Sequence, residues 1–152
     1  MTSASAVIAC ARSYVGVRFA HQGRARQTGV DCLGLLILVA EDVGLSFDSQ
    51  APRALDRTDY GAYPDAEFLR ERLDHFLKPS PIDQMREGDV LLLAIDGRAQ
   101  HLALVTDYPV PGELGMIHAY APARKVIEHR MDESWRKAIV GVYRLPLNSA
   151  FS

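Results

Sequence analysis

Hydrophobic residues gather in helix-length stretches in the first half of the chain and in short strand-length runs in the second. Ser3 or Ser5 is placed to cap a helix that ends near Gly16. The run Leu33 to Ala40 is apolar on every face and is followed by Glu41-Asp42 and Gly44. It predicts a helix from about Asp31 to Val43, buried at the centre of a domain. Between these helices, residues 17–30 carry three Arg and two Gly without apolar periodicity and are expected to form a loop. Residues 46–63 form an irregular connection. Pro64 then opens a surface helix to about Leu77, with Phe68, Leu69, Leu73, Phe76 and Leu77 on its apolar face.

From Asp89 onward the pattern changes. Val90 to Ile95 and Leu102 to Thr106 predict strands joined by the turn Asp96-Gly97-Arg98. Met116 to Tyr120, Lys125 to His129 and Ile139 to Leu145 predict three more, with a short helical piece at Asp132 to Lys137. Helices first and a strand meander afterwards define an α+β class with an antiparallel sheet. With 152 residues and no repeat or boundary signal, the expectation is one domain over 1–152.

Charge narrows the function classes. The formal net charge is -2 and 24% of residues are charged, which leaves no basic field to attract nucleic acid or anionic lipid. The longest apolar run, Leu35 to Ala40, is far too short to span a bilayer, so no membrane insertion is expected. Met1 to Arg12 lacks a basic start followed by a long apolar stretch. The expectation is a protein made in the cytoplasm without a signal peptide and delivered elsewhere by another route. Two cysteines, Cys10 and Cys32, are too few for a disulfide framework.

Chemistry concentrates in Gly29-Val30-Asp31-Cys32-Leu33-Gly34-Leu35. Asp31 is a natural N-cap, and Cys32 then sits at the first turn, where the positive end of the helix dipole favours thiolate. Gly34 leaves room for a close neighbour. A buried structural cysteine would look the same on its own. A nucleophilic thiol also needs a base from elsewhere in the fold. His101 begins the strand Leu102 to Thr106, and His118 lies on the next, so antiparallel pairing would place the second imidazole where it orients the first. His75 and His129 read as exposed, Cys10 as structural, Trp135 as a core or lid residue, and Tyr120 as packing.

GVDCLGL, GDVLLL, QHLALVTDY and MIHAY, in that order and at these intervals, resemble the NlpC-type family of papain-like cell-wall cysteine peptidases. FAHQGR upstream and the closing Trp135 with Gly141-Val142-Tyr143-Arg144 are similar to short single-domain members encoded in phage tail gene clusters. The resemblance implies a reduced papain core, with a Cys-bearing helix packed on an antiparallel sheet. It implies Cys32 as nucleophile, His101 as general base and His118 as the polar residue that orients the base. Asp31 matches a position that holds the local structure, and with Phe19 and His21 it is expected on the substrate side. The implied substrate is a peptidoglycan stem peptide, cut between D-γ-glutamyl and the following diamino acid, without metal or organic cofactor. The implied partners are phage tail proteins, and the implied place of action is the cell wall or periplasm, reached on a virion tail.

Two positions depart from the family pattern. Leu33 stands where many relatives have serine, and Phe19 where many have a substrate-side tyrosine. The lost hydroxyl leaves other outcomes open: an amidase or acyltransferase on another small amide, or a structural tail component with little turnover.

Overall fold

The computed structural model describes residues 2–56, 66–95 and 97–147. Helix α1 spans Ala4–Arg12, and Ser3 caps it by accepting from the Ala6 N–H at 3.1 Å. The chain from Val17 to Val30 is not simply a loop, because β1 (Arg24–Ala25) and β2 (Gly29–Val30) pair as a short antiparallel hairpin. Gly29, at φ +120°, supplies the backbone conformation that lets the hairpin close. Helix α2 follows at Cys32–Asp42, and α3 at Ala66–Phe76. The expected start of α3 at Pro64-Asp65 lies outside the described residues, as does Asp96 of the expected turn.

Strands β3 (Lys78–Ser80), β4 (Val90–Ile95), β5 (Arg98–Asp107), β6 (Leu114–Tyr120), β7 (Lys125–Arg130) and β8 (Ile139–Arg144) complete the chain, with α4 (Glu133–Ala138) between β7 and β8. Among the described residues they form a six-stranded antiparallel sheet in the order β3-β8-β4-β5-β6-β7. The meander β4–β7 needs only short connections, and α4 carries the chain back so that β8 closes against β4. The sequence pattern missed β3, whose Lys-Pro-Ser has no apolar alternation. It forms because β8 offers it a free edge.

Both faces of the sheet are covered. Leu92, Leu102, Leu104, Ile117 and Ala119 join the cluster built on α2, whose residues Leu33 and Leu35 to Ala40 are all buried. Leu91, Leu93, Val105, Met116 and Val142 face the other way, packing with Met131 and Trp135. An all-apolar helix can be placed only where α2 is, between α1 and the sheet strands β5 and β6. Burying its side chains contributes about 1.5–3 kcal/mol each. That placement presents the N-terminus of α2 to the end of β5 that carries His101.

Candidate active site

Asp31 organises the start of α2. Its Oδ1 accepts from the Gly34 N–H at 2.8 Å, which is the capping bond, and from Arg24 Nη1 at 2.9 Å. Its Oδ2 accepts from the Gln22 N–H at 3.0 Å. Arg24 also donates to Asp56 Oδ1 at 2.8 Å, so a partly buried ionic cluster pins the β1–β2 hairpin to the helix. The approach is close enough that a Cβ on Gly34 would fall 2.0 Å from the Gly23 carbonyl oxygen. Asp31 is buried, and these contacts give its carboxylate a positioning task.

Cys32 is the first residue of α2, half-buried against the core. About 10 Å³ of free space, close to that of one water, remains among Cys32, Leu36, Leu102 and Ile117. Burial pushes the Cys32 thiol up to about 12, and the Asp31 carboxylate adds to the rise. The N–H groups of Leu102 and Leu33 and the charge of Arg24 pull the other way but do not prevail. The helix-start argument for a resting thiolate is thereby corrected: desolvation outweighs the dipole.

His101 lies within β5 rather than at its start, because the strand begins at Arg98, with a register shift opposite Leu93 and Ala94 of its partner β4. Leu102, the next residue, supplies the N–H beside the Cys32 sulfur. His101 Nε2 meets His118 Nδ1 at 2.6 Å. The β5–β6 ladder runs from Asp107↔Leu114 to Leu104↔Ile117, and the two imidazoles stand just past its last rung. Burial lowers the His101 pKa to about 4 and lowers that of His118 as well, with the charges of His101 and His129 adding to the latter. Burial thus favours the neutral forms of the Cys32 thiol and of both imidazoles.

The histidine cluster extends one residue further than the sequence suggested. His129 is half-buried on β7 and not merely exposed, and its Nε2 meets His118 Nε2 at 2.8 Å. The hairpin from β6 to β7 pairs His118 with Ile127 and Met116 with His129, making the two histidines diagonal neighbours on one face. Tyr120 and Trp135 pack around them, their ring centroids both 5.0 Å from that of His118. Trp135 covers this polar cluster, held by the Asp132 cap at the start of α4. Of the other expected positions, Phe19 is half-buried against the core and bridges to Val30, whereas His21 is exposed on the turn before β1.

A cysteine opening a buried helix, set against an antiparallel sheet that supplies paired histidines, defines the papain-like cysteine peptidase class. The chain belongs to the NlpC/P60 family, whose model matches residues 16–144. Comparison with curated protein sequences finds no match. Among solved structures it is similar to the NlpC/p60 domain of the peptidoglycan hydrolase SagA, with 21% identity, a TM-score of 0.63, and 95% of this chain covering 100% of that one. An NlpC/P60 family protein from Bacillus cereus ATCC 10987 is 18% identical with a TM-score of 0.64 over 94% of this chain. A protein described as similar to lipoprotein, NLP/P60 family, from Staphylococcus aureus subsp. aureus Mu50 is 16% identical with a TM-score of 0.62 over 95% of this chain. The match spans 40% and 42% of those two longer chains. Among the described residues, no helix is long and apolar enough to cross a membrane.

Proposed function

We propose that this protein hydrolyses an amide bond in peptidoglycan stem peptides, with Cys32 as nucleophile, His101 as general base and His118 orienting the base. The observation that carries the reading is the 2.6 Å contact between His101 and His118, on the strand whose next residue touches the Cys32 thiol. His101 takes the thiol proton as the sulfur attacks the carbonyl carbon. The oxyanion is met by the N–H of Cys32, which as the first helical residue has no acceptor within the helix. His101 then protonates the leaving amine, the thioester remains on Cys32, and a water activated by His101 releases the acid.

The bond proposed is that between D-γ-glutamyl and the following diamino acid, and the setting a phage or prophage tail that delivers the enzyme to the wall. Both rest on the motif resemblance, the second on FAHQGR and Gly141-Val142-Tyr143-Arg144 in particular. Phe19 favours a second reading, an amidase or acyltransferase on another small amide, because no hydroxyl is available there to hold the stem peptide.

The test is mass spectrometry of muropeptides and whole peptidoglycan after incubation with the protein and with Cys32→Ala. Fragments from the wild type alone establish the hydrolase, and their masses identify the bond. No fragments from either, with the fold intact, would overturn the reading in favour of a structural tail component or another amide substrate.

A further inference from the structure

We infer that His129 is a positioning residue that fixes the tautomers of all three imidazoles, so that His101 presents a bare Nδ1 as the base. The inference deepens the proposed reaction and rests on it for its catalytic meaning. Its geometry stands independently.

The chain of contacts has one end whose role is not negotiable. His129 Nδ1 lies 2.8 Å from the Arg130 carbonyl oxygen, and a carbonyl only accepts, so Nδ1 carries the hydrogen. In the neutral ring His129 Nε2 is then bare and accepts. His118 Nε2, 2.8 Å away, must donate to it, which leaves His118 Nδ1 bare. His101 Nε2, 2.6 Å from that atom, must donate in turn. Each ring passes the same polarity to the next, and the unshared lone pair emerges on His101 Nδ1. The opposite tautomer of His101 would carry a hydrogen on that atom and could not take one from Cys32.

The surroundings preserve this polarity. The Trp135 ring centroid lies 5.0 Å from that of His118 and 5.3 Å from that of His129, while Tyr120 packs on the ring of His118. His118 is buried completely, so its Nε2–H has His129 and not bulk water as acceptor. Without that acceptor the Nδ1–H form of His118 loses its penalty. It would then donate to His101 Nε2 and turn the base around.

The experiment uses the full-length protein, His129→Leu and His129→Gln, with long-range proton–nitrogen NMR of the histidine rings and steady-state hydrolysis of muropeptides. The wild type is expected to show hydrogens on His129 Nδ1, His118 Nε2 and His101 Nε2. In His129→Leu the His118 hydrogen should move to Nδ1 in part of the population. Its kcat should fall on the order of ten- to a hundredfold, by analogy with the loss of an outer hydrogen-bond partner from a metal-ligating histidine, with KM little changed. His129→Gln, whose amide oxygen accepts from His118, should recover most of both. A hydrogen on His101 Nδ1 in the wild type would overturn the inference, as would unchanged ring nitrogens and kcat in a folded His129→Leu. A wild type with the expected ring pattern but no turnover would sink the proposed reaction and leave the tautomer relay supported.

Discussion

Arg24 and Asp31 meet at 2.9 Å, seven residues apart, with side chains only 11% and 9% exposed. One is in the hairpin that flanks the nucleophile and the other caps the helix that bears it. Through this pair the position of Cys32 becomes a property of two elements at once. The Gly34–Gly23 approach depends on the same clamp, since the hairpin backbone is held down onto the first turn of α2.

Breaking that pair has a calculable cost. Arg24→Ala leaves the Asp31 carboxylate buried without its cation and should destabilise the fold by about 3–5 kcal/mol. Asp31→Ala removes the cap as well as the pair. Urea denaturation of each variant reads the effect, and an unchanged midpoint for Arg24→Ala would show that the pair is dispensable.

Thiol labelling distinguishes a resting thiolate from a resting thiol. Burial holds Cys32 near 12, and burial together with Asp42 raises Cys10. Both should alkylate slowly with iodoacetamide at mildly acidic pH and faster as pH rises. Rapid labelling of Cys32 alone near pH 5 would restore a thiolate–imidazolium pair and contradict the neutral site.

The lowered His101 pKa has two consequences of opposite benefit. His101 acts as a base only when neutral, so the acid limb of kcat/KM should fall near pH 4, well below the usual 6.5. Stability runs the other way. Between about 6.5 and 4 the unfolded chain binds a proton that the folded chain excludes, so stability is lost as pH falls through that window. His118, lowered for the same reason, adds to the loss. Activity and Trp135 fluorescence followed from pH 8 to pH 4 measure both; an activity limb near 6.5 would contradict the burial argument.

His118→Ala should retain weak turnover, with kcat reduced about a hundredfold or more and KM little changed. The nucleophile and base remain, but His101 Nε2 loses the partner that turns its ring. Full wild-type kcat in a folded variant would remove His118 from the mechanism.

Phe19→Tyr tests the departure at the substrate side. Restoring a hydroxyl should lower KM for stem peptides without shifting the denaturation midpoint, because Phe19 is only half-buried. An unchanged KM for every stem peptide tried would place Phe19 outside the specificity determinants.

Much of this protein was decided locally and is legible in the sequence. The uninterrupted apolar run of α2 dictates a central helix, and Asp31 its first turn and therefore the place of Cys32 at its end. Short apolar runs after Asp89 dictate the strands, and antiparallel succession brings His101 beside His118. Three things required the tertiary structure. β3 forms only because β8 presents an unpaired edge, so Lys78-Pro79-Ser80 carries no signal of its own. The thiol's protonation depends on desolvation by residues distant in the chain, such as Val90 and Ile117, and this reverses what the helix dipole alone implies. The role of His129 depends on the β6–β7 register, because a strand residue belongs to whichever face its partner's pairing assigns it. Helical periodicity and capping are properties of neighbours in sequence, whereas burial, pairing and hydrogen-bond polarity belong to neighbours in space.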